Sequence, residues 1–214
     1  MYLNAAGSTA ERMAVILRDR ITAGELTPGT RLVEESLAEE LGVSRNTLRE
    51  AFRLLTYERL LVYELNRGVL VRTLSEQDVV ELYRVRRMIE LAALRDSGKA
   101  ESGKFGKVAD AVRQAETAAA DGRWHDVATA NMQFHRALVE LAGGARVEEF
   151  MAQILAELRL VFHVMKDPRR FHEPYIGRNR AVLVALISGD IAGAEKLLKE
   201  YLDDSERQLL GAYG

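Results

Sequence analysis

Met13, Ile16, Leu17 and Ile21 share one face of a helix spanning 9–23, and Gly24 ends it. The Pro28-Gly29 pair makes 26–30 a turn. Positions 31–33 fit one very short strand. A short helix is predicted over 34–41, closed by Gly42, and Ser44 is placed to cap a second helix running to about Arg59. Two helices joined by a tight glycine turn make a helix-turn-helix candidate. The β-prone runs 60–65 and 69–72 flank Asn66-Arg67-Gly68, which is a hairpin signal. A hairpin directly after a helix-turn-helix is a wing.

Beyond residue 73 the period is helical throughout. Ser75 to Asp78 resembles a capping box, with Asp in place of Glu or Gln, and opens a long helix to about Arg95. Further helices are predicted over 105–120, 126–142, 146–165, 177–188 and 191–210, with 168–174 as a loop between its two prolines. The fold class expected is mainly α. A winged helix-turn-helix with a small β-wing occupies 1–74, and an all-α antiparallel helical bundle occupies 75–214, its interior a natural ligand site.

Composition narrows the chemistry. The chain has 214 residues, 48% hydrophobic and 29% charged, as in ordinary globular proteins. It contains no Cys, which excludes disulfide scaffolds, thiolate metal sites and cysteine nucleophiles and fits a cytoplasmic address. Neither a signal peptide nor a membrane span is legible. The net charge of -2 argues against a protein that coats nucleic acid, but the distribution matters more. Residues 43–73 hold Arg45, Arg49, Arg53, Arg59, Arg67 and Arg72 against Glu50, Glu58 and Glu64. Arginine is the residue for bidentate contacts to guanine and phosphate.

On the helix over 44–59, Leu48, Ala51, Phe52 and Leu55 fall on one arc. Asn46, Arg49 and Arg53 fall well away from it, and Arg45 lies at the border. A recognition helix must anchor in its own domain and offer donors to bases and phosphates. The Ser44 hydroxyl and the free N–H groups at that helix start suit a phosphate. A solvated surface helix would show part of the same pattern.

Gly24-Glu-Leu-Thr-Pro-Gly-Thr-Arg-Leu32, Leu37-Ala-Glu-Glu-Leu-Gly-Val-Ser-Arg45, Leu48-Arg-Glu-Ala51 and Asn66-Arg-Gly-Val69 together resemble the N-terminal domain of GntR-type bacterial regulators. That resemblance implies Arg45 and Arg49 in the major groove, Asn46 and Thr47 near bases or phosphates, and the wing tip at Arg67 and Gly68 in the adjacent minor groove. Asn46-Thr47-Leu48 departs from the Thr-Pro-Val of many relatives. Glu35 stands where some subfamilies place a DNA-contacting Arg, so no contact is expected there.

The second domain is similar to the helical ligand-binding domain of the FadR branch. The residues that carry this are Glu81-Leu-Tyr-Arg-Val-Arg86 with Glu90, Phe134-His135, and Gly189-Asp190 with Gly193-Ala194. Many relatives hold a divalent metal with an Asp-x-x-x-His pair and two later His. Those positions map to Asn131, His135, Asn179 and Tyr201, and only His135 matches, so no metal and no other cofactor is expected. The same four residues, with Arg86, are the candidate effector site. Arg86 there implies a small acidic metabolite, its alternative being an ion pair with Glu90 one turn along. The resemblance further implies a homodimer, a pseudo-palindromic double-stranded DNA operator, repression rather than activation, and no membrane partner. Three alternatives stay open: a metal-dependent sensor of the same family, a ligand-blind dimerising bundle, and a helical enzyme with a DNA-binding head. Against the enzyme stands the lack of any HExxH motif, phosphate loop or acid pair around His135.

Overall fold

The structure, a computed structural model, describes residues 7–97, 105–162, 165 and 167–213. Lys99, Lys104, Lys166 and His163, and with His163 part of the helix expected over 146–165, lie outside the described residues. The chain divides into two compact units between Leu74 and Ser75, and a short segment beginning at Arg159 groups with the first.

The first unit contains α1 (Thr9–Ala23), β1 (Arg31–Leu32), α2 (Glu34–Glu40), α3 (Arg45–Tyr57), β2 (Leu61–Glu64) and β3 (Gly68–Val71). α1 starts with a capping box, the Ser8 side chain accepting from the Glu11 N–H and Glu11 reaching back to the Ser8 N–H. It ends at Gly24 in the left-handed region, φ 81°. Met13, Ala14, Leu17 and Ile21 of α1 are buried, as are Leu48, Ala51, Phe52 and Leu55 of α3. The strands form one antiparallel sheet in the order β1-β3-β2, with Leu61 opposite Val71 and Glu64 opposite Gly68. The wing turns through Asn66 and Gly68, both at positive φ (66° and 83°), a region Asn and Gly tolerate. α3 stops at Tyr57, slightly short of the predicted end, because Arg59 takes φ 59° and Leu60 N–H turns back to the Leu55 carbonyl.

The second unit contains α4 (Glu76–Ser97), α5 (Gly106–Ala120), α6 (Trp124–Glu140), α7 (Ala145–Val161) up to Leu158, α8 (Pro168–Ile187) and α9 (Ile191–Leu210). α4 opens with the expected capping box, Ser75 N–H to Asp78 Oδ2 (2.9 Å) and Asp78 N–H to Ser75 Oγ (3.2 Å). α9 opens on Asp190, whose carboxylate accepts from Gly193 N–H (2.9 Å). A Cβ on Gly193 would lie 2.1 Å from Asp190 Oδ2, so a larger residue there would make the capping carboxylate turn aside. Every element in this unit is helical, and the fold class is mainly α with a three-stranded wing sheet in the first unit.

The expected loop over 168–174 is instead the first part of α8. Asp167 caps that helix through Arg170 N–H (3.2 Å), and Pro168 sits in its first turn, where no N–H is needed. Pro174 lies inside the helix and leaves the Arg170 carbonyl without its usual partner four residues on. Gln208 Nε2, from α9, donates to that carbonyl (3.4 Å), while its Oε1 accepts from the Tyr175 hydroxyl (2.8 Å). A neighbouring helix thus supplies the donor that proline removed. Gln208→Ala should cost about 1 kcal/mol in urea unfolding. The cost should shrink in a Pro174→Ala background, where residue 174 has its own N–H; an equal cost in both backgrounds would refute this role.

Candidate functional site

α3 presents its N-terminal end to solvent. Ser44 Oγ accepts from Thr47 N–H (3.1 Å) and lies 2.9 Å from Thr47 Oγ1. Ser44, Arg45, Asn46, Arg49 and Arg53 are exposed, and Thr47 is half-buried. The side chains of Arg45 and Arg49 keep 56% and 55% of their surface exposed. The apolar arc behind them fixes the helix, so the polar arc stands on a rigid base. Arg67 at the wing tip is exposed and pairs with Glu64. Gly68 closes that turn.

Sequence reasoning missed the carboxylates that meet these arginines. Arg45 pairs with Glu35, and Arg49 Nε donates to Glu34 Oε2 (2.8 Å), both from α2. Such exposed pairs contribute about 0–1 kcal/mol, so a phosphate or base edge can displace them. Only the fold could show these pairs, because the partners are ten and fifteen residues apart.

The second unit buries a polar cluster. Arg86 and Glu90 of α4 are 1% and 0% exposed, and Arg86 Nε donates to Glu90 Oε1 (2.7 Å). Glu90 Oε2 faces His135 Nδ1 of α6 at 2.6 Å. The Arg86 guanidinium also lies over the Tyr83 ring, 4.9 Å from its centre. Beside this chain, Asn131 Oδ1 accepts from Asn179 Nδ2 (2.7 Å) and from the Tyr201 hydroxyl (2.9 Å). The His135 and Tyr201 rings pack edge to face, 5.0 Å apart, and join the two groups. The structure therefore brings together all five residues of the candidate effector site, with Glu90 between Arg86 and His135. Its place on the inward stripe of α4, four residues after Arg86, was the signal for it. Arg86 is already paired, which removes the free cation on which the expected acid depended.

Electrostatics fixes the protons. Burial pushes the Glu90 carboxyl up, but Arg86 and His135 together outweigh it and its pKa is lowered. Burial holds His135 below its ordinary 6.5, against the pull of Glu90 and with the help of Arg86. Glu90 is thus a carboxylate and can only accept, so neutral His135 carries its proton on Nδ1 and exposes a lone pair on Nε2. Burial also raises the Tyr201 pKa well above 10.0, which keeps it a phenol.

These residues do not suit a metal ion. Asn131 Oδ1 already accepts two bonds, Glu90 is held between Arg86 and His135, and Tyr201 is protonated. What remains is one imidazole nitrogen and one amide oxygen, both neutral and too few for a divalent ion. Among the described residues, no group of three or more His, Cys, Asp or Glu could hold a metal.

An exposed polar helix on a winged head, followed by an all-α unit with a buried polar centre, places the chain in the winged helix-turn-helix class. The family described as bacterial regulatory proteins, gntR family, matches residues 9–71, and the FCD domain matches residues 81–204. A GntR protein from Rhodococcus sp. RHA1, solved by structural genomics, is 44% identical, with TM-score 0.91 over 97% of this chain and 100% of that one. The gluconate operon transcriptional repressor of Bacillus licheniformis is 39% identical over 93 residues, 44% of this chain and 38% of the repressor. The chain thus matches well under half the length of that relative. Escherichia coli McbR/YncC shares the fold at TM-score 0.83 and 21% identity, over 98% of this chain and 100% of that one. This chain belongs to the GntR family and carries an FCD domain, the architecture expected of the FadR branch. Its relatives are transcriptional regulators, not enzymes. Among the described residues, no helix is long and apolar enough to cross a membrane.

Two outcomes follow for the cluster. Glu90 and His135 both have lowered pKa values in the folded state, so the unfolded chain binds more protons as pH falls. Their contribution is complete above the ordinary His value of 6.5 and declines below it. The melting temperature should fall from pH 7 to pH 5, and His135→Gln should flatten the upper part of that decline. A parallel decline in wild type and variant would contradict the assignment. For the metal, protein purified without chelator should show the same melting temperature before and after EDTA; a drop would mean that a native-state metal had been stripped.

Proposed function

We propose that this chain is a ligand-responsive transcriptional repressor that binds a pseudo-palindromic operator as a homodimer in the cytoplasm. The observation that carries the reading is α3. Leu48, Ala51, Phe52 and Leu55 anchor it while Arg45, Asn46 and Arg49 stand exposed at its N-terminal end. In this reading α3 enters the major groove. Arg45 and Arg49 read base edges, Asn46 and Thr47 touch bases or phosphates, and Ser44 with the free N–H groups of the helix start holds a phosphate. Arg67 and Gly68 at the wing tip reach the adjacent minor groove. The head comprises 1–74, and 75–214 forms the effector-binding and dimerisation domain. Relatives such as the gluconate operon transcriptional repressor of Bacillus licheniformis favour repression.

The effector is a small molecule held by Arg86, Asn131, His135, Asn179 and Tyr201. It controls DNA binding only if it favours one conformational state over another, since equal affinity for both would shift nothing. The buried polar cluster, with polar atoms left over after internal pairing, supports this over a ligand-blind bundle.

Arg45→Ala and Arg49→Ala should each weaken operator binding by about 1–3 kcal/mol, with folding intact. Arg136→Ala, on α6 and paired with Glu140, should leave affinity unchanged. An operator selected from random DNA and titrated by fluorescence anisotropy provides the measurement. Full affinity in both head variants would sink the α3 assignment.

A further inference from the structure

Pairing inside the buried cluster stops short of completion. Three of its side-chain atoms are fully buried and have no hydrogen-bond partner: Arg86 Nη2, His135 Nε2 and Asn179 Oδ1. Arg86, His135 and Asn179 are each 1% exposed, so bulk solvent does not serve these atoms. Leaving buried polar atoms unpaired is costly, so each calls for a partner that the chain itself does not supply.

Their chemistry can be read atom by atom. Arg86 Nη2 is a donor. His135 Nε2 is an acceptor, because Nδ1 must carry the proton that faces Glu90. Asn179 Oδ1 is an acceptor, because its Nδ2 already donates to Asn131. The doubly flipped pair, with Asn131 Nδ2 donating to Asn179 Oδ1 and to the Tyr201 oxygen, would leave the Tyr201 hydroxyl proton without its acceptor, which favours the present orientation. The complementary molecule must accept at least one hydrogen bond and donate at least two. Hydroxyl groups do both; a carboxylate can only accept.

Charge supplies the second constraint. One cation and one anion, Arg86 and Glu90, lie in direct contact at 2.7 Å, and the remaining members are neutral. The cluster is balanced before any ligand arrives. An entering carboxylate would lose its hydration and add an uncompensated negative charge to a site whose only cation is already shared. A neutral molecule meets no such penalty.

We infer that the buried cluster of the second unit receives an uncharged, polyhydroxylated molecule, a polyol or sugar, in preference to the matching sugar acid. This rests on the effector reading above and specifies the ligand class of that site. Arg86 Nη2 donates to one hydroxyl, and two others donate to His135 Nε2 and Asn179 Oδ1. Arg86 serves here as a neutralised hydrogen-bond donor, not as a free counter-charge for an acid.

The test uses full-length protein with two matched probe sets, the polyols erythritol, xylitol and sorbitol and the acids threonate, xylonate and gluconate. Binding is read by thermal shift and then by calorimetry. At least one polyol should raise the melting temperature and bind at least tenfold more tightly than its acid partner. Asn179→Ala should weaken that polyol about threefold to tenfold, the range of one neutral hydrogen bond. Glu90→Gln, which leaves Arg86 unbalanced, should reverse the preference towards the acid. Should that variant fail to fold, Asn179→Ala and the wild-type ratio still decide the matter. Tighter binding of the acids to wild type would overturn the uncharged-ligand inference while leaving the effector reading intact. If neither probe set binds, the inference fails, and if a wider metabolite screen also moves neither melting temperature nor operator affinity, the effector reading fails with it.

Discussion

A guanidinium and a carboxylate stand one helical turn apart on the inward face of α4, in the same stripe as Val79, Leu82, Tyr83, Ala93 and Leu94. Each would be intolerable in that position alone, since an unpaired buried charge costs several kcal/mol. Together they neutralise one another at 2.7 Å, and the remaining structure of the cluster follows. Glu90, fixed as a carboxylate, accepts a hydrogen bond from Nδ1–H of His135 and so leaves Nε2 as an acceptor. The His135 ring lies against Tyr201, whose hydroxyl, with Asn179, engages Asn131. Four helices, α4, α6, α8 and α9, contribute to this one network, so it ties their mutual register to a single charge pair.

The same pair sets the charge balance of the cluster. An arginine supplies a donor whose charge is already cancelled, and amide and phenol groups make up the rest of the cluster. The cluster therefore offers hydrogen bonds and no net charge. A site of that kind discriminates by the count and direction of donors and acceptors, because mismatched groups leave buried atoms unpaired.

The head works under a different constraint. Its arginines are exposed and individually weak partners of Glu34, Glu35, Glu50 and Glu64. Such pairs add little stability, yet they restrain long side chains that would otherwise sample many rotamers. They also cancel much of the positive charge of the helix, which keeps indiscriminate attraction to phosphate low and leaves more of the recognition to directed contacts.

Local rules were enough for most of the fold. The helix of Thr9–Ala23 with Gly24 after it, the Ser44 cap, the turn at Asn66 to Gly68 and the Ser75–Asp78 capping box all depend on neighbours within a few residues, so the sequence by itself determined them. It also marked Arg86, Asn131, His135, Asn179 and Tyr201 as one group, and it placed the chain in its family through motif order. The stretch 168–174 read as a loop because the donor that repairs the Pro174 break, Gln208, lies 38 residues beyond the carbonyl it serves. Likewise, nothing local joined Arg49 to Glu34 or placed Glu90 against His135 45 residues away. Hydrogen-bond completion and charge balance are sums over everything packed around an atom. Only the tertiary structure assembles those neighbours, and so it alone decided that the arginine in the cluster is already neutralised.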